Sequence, residues 1–292
     1  MATARPRLAL CTSSEFPTLF DDEQQLPARL AAAGVDAEVV IWSDPAVDWS
    51  RFDRVIIRST WDYFTRIGEF RAWLDRMQAA NVPLWNPAAL VRWNLDKHYL
   101  AELEARGIAV VPTRYVDAPA SLAALVAETG WSEAILKPAI SGGSWRTHRF
   151  VAADAPSLQA DLDGLTTGAG GALVQPFARE IVDEGEWSFL FFAGEFSHSI
   201  VKTPAARDFR VQPKFGGTFR AVTAPPALRA QADAVLAQLP LAPLYARIDG
   251  IRRGDQLLLM EVEVIEPYLY LPADPASPDR FVRALVANAY AP

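Results

Sequence analysis

Three stretches carry side chains suited to chemistry, and their order along the chain is informative. The first, ILKPAISGGSWRTHR over residues 135–149, places Lys137 at the end of an apolar run, just before Ser141, Gly142, Gly143 and Ser144. A lysine there can reach a phosphate, and the glycines let backbone N–H groups approach phosphate oxygens with no Cβ in the way. The stretch is neither GxxxxGK[ST] nor GxGxxG, and taken alone Ser-Gly-Gly-Ser is also ordinary hairpin-turn composition. In the second stretch Lys202 ends another apolar run, and Arg207, Arg210 and Lys214 follow around Gly216-Gly217. A cationic, glycine-bearing loop suits a phosphate lid, although a solvated loop has the same look. The third stretch is acidic: Asp249 in YARIDGI, then Glu261 and Glu263 in LLMEVEV, across a turn at Arg253-Gly254-Asp255. On a strand Glu261 and Glu263 share a face, and antiparallel pairing around the turn brings Asp249 near Glu261. Carboxylates converging among Ile, Leu and Val are costly unless a cation neutralises them. Oxygen-only ligation favours Mg²⁺ over zinc; the bland alternative is an exposed acidic strand face. Together the stretches supply cations, a glycine-rich loop and metal-type carboxylates, which is what phosphoryl transfer requires.

The elements that must position these groups follow from periodicity. RLALC (7–11), AEVVIW (37–42) and RVIIRS (54–59) read as buried strands, with helices expected over about 20–33 and 67–80. In the second helix Phe70, Trp73, Leu74 and Met77 fall on one face. Solid apolar strands alternating with helices imply a parallel sheet covered on both sides. Asn94 is expected to cap a helix over 95–106 that Gly107 stops, and a further helix is expected near 121–128. From residue 172 onward strand patterns dominate, interrupted by helices near 227–239 and 279–288. The fold class is α/β followed by α+β, in three lobes expected at 1–92, 93–177 and 178–292.

Composition narrows the function. The chain has 292 residues, 51% hydrophobic and 22% charged, enough for a sizeable core in two domains or one lobed unit. With 28 Lys and Arg against 35 Asp and Glu, the net charge is −7, which argues against nucleic acid or an anionic membrane as partner. The single cysteine, Cys11, excludes an internal disulfide and a Cys-rich zinc site, and the three histidines form no HExxH-type pattern. No apolar run has the length of a membrane span or the form of a signal peptide, so a cytoplasmic protein is expected, with a homodimer as the default oligomer.

This order of motifs resembles the ATP-grasp superfamily, in its glutathione-synthetase-like form, over most of the chain. The resemblance implies ATP and Mg²⁺ as cofactors. It assigns Lys97 and Lys137 to the nucleotide phosphates, Ser141, Gly142, Gly143 and Ser144 to the phosphate loop, and Gln175, Pro176, Phe177 and Ala178 to the adenine hinge. Glu186 falls to the ribose. Lys202 and Arg210 fall to the transferred phosphate, and Asp249, Glu261 and Glu263 to the metal. Glu263 departs from the usual pattern, which has Asn there. RSTWDY (58–63) and the ending MEVEVIEPYLYL are similar to a narrower branch that includes the O-ureido-D-serine cyclo-ligase, which forms D-cycloserine. On that likeness Arg58, Ser59, Thr60, Trp61 and Asp62 are expected at the substrate, with Arg58 on a carboxylate; the alternative is an interior Arg58 paired with an acid. The activity implied is activation of a small amino-acid-type carboxylate as an acyl phosphate for attack by an amine. That attack is either intramolecular, closing a ring, or intermolecular; a non-catalytic nucleotide-binding module is the remaining alternative.

Overall fold

A computed structural model of the chain describes residues 5–168 and 170–290. Strands β1 (Arg7–Thr12), β2 (Asp36–Ile41), β3 (Arg54–Ser59) and β4 (Leu84–Trp85) form a parallel sheet in the order β2-β1-β3-β4. The two-residue period of β1 sends Ala9 and Cys11 to one face and Leu8 and Leu10 to the other. Helix α1 (Leu26–Ala32) packs against Leu8 and Leu10; α2 (Ile67–Ala79) covers the Ala9 face through Phe70, Trp73, Leu74 and Met77, as its spacing predicts. The helix expected from about residue 20 is shorter. Asp21–Glu23 makes a single 3-10 turn and α1 starts at Leu26, because Pro27 has no N–H to donate and fits only a first turn.

The next segment differs from expectation in a way that matters for the site. Helix α3 (Ala88–Asn94) ends at Asn94, and α4 (Tyr99–Ala105) begins five residues later. Asn94 is not an N-cap. Its buried amide donates to the Val262 carbonyl at 2.8 Å and accepts from the Val264 N–H at 3.1 Å. Between the helices the Lys97 N–H goes to the Ala139 carbonyl at 3.0 Å, which interrupts the helical ladder.

The middle of the chain makes an antiparallel sheet from β5 (Arg114–Val116), β6 (Glu133–Pro138), β7 (His148–Val151) and β8 (Ala172–Pro176), in the order β5-β8-β6-β7. Helices α5 (Leu122–Thr129), capped by Ser121, and α6 (Gln159–Gly168) close a separate core with it. β7 and α6 have no counterpart in the reading of the sequence; both are short, and α6 is only weakly amphipathic.

After the single turn α7 (Glu180–Asp183), the largest sheet is built from β9 (Glu186–Phe192), β10 (Glu195–Thr203), β11 (Thr218–Val222), β12 (Tyr245–Arg253) and β13 (Gln256–Glu263), ordered β11-β10-β9-β12-β13 and antiparallel. One face packs on α3, α4 and α8 (Pro226–Ala237), joining Leu90, Tyr99 and Leu228 to Phe189, Ile248 and Leu259. The other face, through Leu190, Phe192 and Tyr245, meets α9 (Ser277–Ala289) and the Leu8–Leu10 face of the first sheet in one shared core. Among the described residues no helix is long and apolar enough to cross a membrane.

Buried amides fasten the first sheet to the last. Asn86 donates to the carbonyls of Tyr245 at 2.8 Å and Val264 at 2.6 Å, and accepts from the Leu244 N–H at 2.6 Å. Removing that amide strands buried backbone groups, each worth about 1–3 kcal/mol. Asn86→Ala is therefore expected to lower stability by about 2–4 kcal/mol, read as a lower denaturant midpoint at unchanged slope.

Candidate functional site

Where the three sheets meet, a cavity of about 420 Å³ opens. β6 delivers Lys137 to it, and the loop to β7 supplies Ser141, Gly142, Gly143 and Ser144. The loop is tight: Gly143 has φ +55°, and a Cβ there would stand 2.9 Å from the Lys214 Nζ, while one on Gly142 would stand 2.8 Å from the Phe64 ring. Lys97 does not project freely. Its ammonium donates to the Ser141 carbonyl at 2.8 Å and pairs with Glu261 at 3.1 Å, so it braces the loop against the acidic strand. Lys137 has no hydrogen-bond or ion-pair partner among the described residues, and burial, with the Lys97 charge adding to it, pushes its pKa down to about 8. The cationic loop after β10 folds over the glycines, Ser144 Oγ donating to Gln212 Oε1 at 2.9 Å.

The acidic residues share one wall but not one point. Asp249 lies directly opposite Glu261 in the β12–β13 ladder, as the turn at Gly254 predicts. Arg247, two residues earlier on the same face of β12, stands between Asp249 and Glu263 and bonds both. Asp249 is 1% exposed, and its oxygens are taken by Ser188 at 2.6 Å, Lys202 at 3.0 Å and Arg247. Burial opposes the Asp249 charge, yet Arg247 and Lys202 hold its carboxyl well below the usual range. Among the described residues no group of three His, Cys, Asp or Glu side chains converges as metal ligands would. Glu261 and Glu263 nevertheless each keep one oxygen without a bonded partner among the described residues, and both line the cavity. These are hard donors on one strand face, so this pair fits Mg²⁺; Asp249, saturated by cations, does not in this arrangement. Burial, with repulsion from Glu261 and Asp249 outweighing Arg247, raises the Glu263 pKa to about 7.

Glu186, Lys202, Arg210 and the segment 175–178 line the same cavity, each with its own partners. Glu186 lines the cavity, but its carboxylate is 2.5 Å from the Lys202 ammonium, so ion pairing rather than a free ribose-type acceptor describes it. Burial works against the Lys202 charge, and Asp249 with Glu186 outweighs it, holding the pKa above that of a free lysine. Arg210 faces the cavity with a two-point bond to Asp208 at 3.0 and 2.8 Å and stacks on Phe215, 3.7 Å from the ring centre. Gln175, Pro176, Phe177 and Ala178 line an apolar slot with Val111, Ile135 and Met260, and Gln175 is held by Thr113 at 2.8 Å.

The RSTWDY segment divides. Arg58 does not reach the cavity: it is 1% exposed and bonds Glu23 through Nε at 2.9 Å and Nη2 at 2.5 Å, with the Pro267 carbonyl at 2.8 Å. A guanidinium buried this deeply needs a carboxylate of the protein, and Glu23 supplies it. Ser59 is buried and accepts from the Phe20 N–H, Thr60 is fully buried, and Asp62 holds the Trp42 indole at 2.8 Å and Arg66 at 3.0 Å. Of this segment Trp61 and Tyr63 line the cavity, the Trp61 indole N–H donating to the Glu266 carbonyl at 2.9 Å. The sequence reading missed Arg247, Glu266, Phe16, Phe20 and Tyr268, all cavity-lining. Arg247 had a signal, since its two-residue spacing from Asp249 puts both on one strand face.

The arrangement has well-matched relatives. A RimK-domain ATP-grasp protein from Sphaerobacter thermophilus superposes with TM-score 0.71 at 19% identity, covering 96% of this chain and 98% of that one. A D-alanine–D-alanine ligase from Bacillus anthracis, complexed with ATP, gives 0.70 at 14% identity over 98% and 97%. Three sheets closing on a cavity with a lysine-braced glycine loop are thus the fold of the ATP-grasp proteins. The profile of a family described as "D-cycloserine synthetase DcsG, N-terminal domain" matches residues 8–86. The cycloserine biosynthesis protein DcsG of Streptomyces lavendulae is 34% identical over 296 residues, 95% of this chain and 97% of that protein. The crystal structure of D-cycloserine synthetase DcsG gives TM-score 0.87 at 31% identity, over 97% and 99% of the two chains. Within the ATP-grasp ligases, the chain belongs to the DcsG family. It is an ATP-dependent ligase of the carbon–nitrogen bond-forming type.

The Arg58–Glu23 pair yields a stability test. Glu23→Ala leaves a buried guanidinium without its counter-charge and is expected to cost about 3–5 kcal/mol, while Glu23→Leu combined with Arg58→Met costs clearly less. Chemical denaturation of the three proteins checks this.

Proposed function

We propose that the cavity binds Mg-ATP beside a small amino-acid-type substrate, activates the substrate carboxylate as an acyl phosphate, and closes O-ureido-D-serine toward D-cycloserine. The observation that carries this reading is the opposition, across one cavity, of the unpaired Lys137 behind its glycine loop and the open oxygens of Glu261 and Glu263. The DcsG relatives, matched over nearly the whole chain, support the product class.

In this reading a carboxylate oxygen of the substrate attacks the γ-phosphorus and ADP leaves. The oxygen-bound nitrogen of the same molecule then attacks the activated carbonyl, phosphate departs, and water releases the carbamoyl group left on that nitrogen as carbon dioxide and ammonia. Because both reacting groups belong to one molecule, the entropy of encounter is already met. Lys137 and Lys202 lie toward the transferred phosphoryl group and offset its charge, with Arg210 reaching in from the lid. Glu261 and Glu263 would hold Mg²⁺, which would supply charge neutralisation at the transferred phosphoryl group. Lys97 acts by holding Ser141, and so the loop's N–H groups, against Glu261. The slot of Gln175–Ala178 takes the adenine. No side chain serves as a covalent nucleophile.

Mg-ATP-dependent ADP release over a panel of small amino acids, each alone and with added amines, tests the proposal. Release with O-ureido-D-serine alone, with a cyclic product by mass, is the expected result; release only with a second amine would replace cyclisation by intermolecular ligation. Glu261→Gln is expected to lower ADP formation by about 10²-fold or more, measured at a temperature where thermal unfolding shows the variant still folded. The Lys137 ammonium is charged below about 8 and neutral above it, so its attraction for phosphate is present at low pH and fades as pH rises through that value. ATP affinity, measured by calorimetry from about pH 7 to about pH 9.5, should fall across this window, and Lys137→Arg should flatten the fall.

A further inference from the structure

The acidic wall continues beyond Glu263. Glu266 lines the same cavity, on the segment that leaves β13. Every other carboxylate set into the wall is matched by a cation: Glu186 by Lys202, Asp249 by Lys202 and Arg247, Glu261 by Lys97, Glu263 by Arg247. The Glu266 carboxylate has no ion pair with any described residue, and its hydrogen bonding is to its own backbone N–H; the Glu266 carbonyl is engaged by the Trp61 indole at 2.9 Å.

That indole belongs to a set of rings in the same wall. Trp61 lies 5.1 Å from Phe16 and 5.0 Å from Phe20, centre to centre, and Phe20 lies 5.0 Å from Tyr268, two residues beyond Glu266. All four rings line the cavity. A carboxylate lacking a counter-charge beside aromatic faces is a receptor for a compact organic cation, since both components attract positive charge and the rings exclude the water that would compete.

We propose that Glu266 and the aromatic wall of Phe16, Phe20, Trp61 and Tyr268 receive the ammonium group of the amino-acid substrate. The inference rests on the function proposed above and adds which part of the wall reads the substrate's amine. It also orients the molecule. The substrate carboxylate is repelled from Glu266 and faces the Lys137 end of the cavity, so one zwitterion spans two groups of opposite sign. Burial, with repulsion from Glu263 and Glu261, pushes the Glu266 pKa well above the ordinary carboxylate range, so this spot favours a positive charge brought by a ligand.

The test compares wild type and Glu266→Gln, both with Mg-ATP, on the amino acid that wild type turns over and on its deaminated analogue. Wild type should prefer the aminated substrate by about 10²-fold or more in kcat/KM; Glu266→Gln should lose most of that preference through a higher KM. Affinity for a non-hydrolysable ATP analogue and the Mg²⁺ concentration giving half-maximal rate should stay unchanged. A variant that keeps the full preference, slows both substrates equally, or shifts only the Mg²⁺ dependence overturns the proposal. If Glu266→Gln fails to fold, Glu266→Asp is read the same way, and a wild type indifferent to the amine overturns the proposal by itself. If wild type releases ADP with no amino acid, the functional reading falls and this inference with it. If wild type turns over an amino acid but the variant discriminates equally well, this inference alone falls.

Discussion

Charge set into a cavity wall must be balanced before any ligand arrives, because an unmatched ion loses hydration that nothing returns. That constraint organises this molecule. Lys202 lies between Glu186 and Asp249, Arg247 between Asp249 and Glu263, and Lys97 ties Glu261 to the phosphate loop. The large sheet makes this possible: its two-residue period carries Tyr245, Arg247 and Asp249 along one face, the first in the shared core and the next two in the cavity. Within the wall two groups have no ion pair among the described residues, Lys137 and Glu266, one of each sign. The cavity thus offers a ligand one positive and one negative unmet charge, away from the exposed rim where Glu15 and Lys214 stand.

The balance also accounts for the departure of Glu263 from the Asn that the resemblance expects. An additional negative charge beside Glu261 and Asp249 requires a cation, and Arg247 occupies the position directly opposite Glu263 in the ladder. Glutamate and arginine at these positions form one unit: either alone would leave the strand face unbalanced.

Legibility in the sequence followed the kind of interaction. Runs such as RLALC, RVIIRS and EWSFLFF announce buried strands, and the 3.6-residue spacing of Phe70, Trp73, Leu74 and Met77 announces a covered helix face, because burial acts on each residue locally. The glycine loop between β6 and β7 and the pairing of Asp249 with Glu261 are legible for the same reason, each lying within a single hairpin. What local pattern does not carry is the identity of a distant partner. Asn94 has the composition of a helix cap, but its amide is claimed by Val262 and Val264, far along the chain. Arg58 has the setting of a ligand contact, at the carboxyl end of a parallel strand, yet Glu23 claims it. The aromatic wall gathers Phe16, Phe20, Trp61 and Tyr268 from segments that no spacing rule connects.

The core under the Leu8–Leu10 face has a consequence for how the chain acquires its structure. The recognisable unit at residues 8–86 is bounded by sequence similarity, but one side of its sheet is sealed by Leu190, Tyr245, Phe281 and Leu285. A ribosome that has just released β4 has therefore made a sheet whose Leu8–Leu10 side is covered by α1 alone. Its greasy side must wait, shielded or transiently misplaced, until α9 emerges. Non-local closure of this kind slows folding and prolongs exposure of apolar surface, so the first lobe is an evolutionary module without being an autonomous one during synthesis.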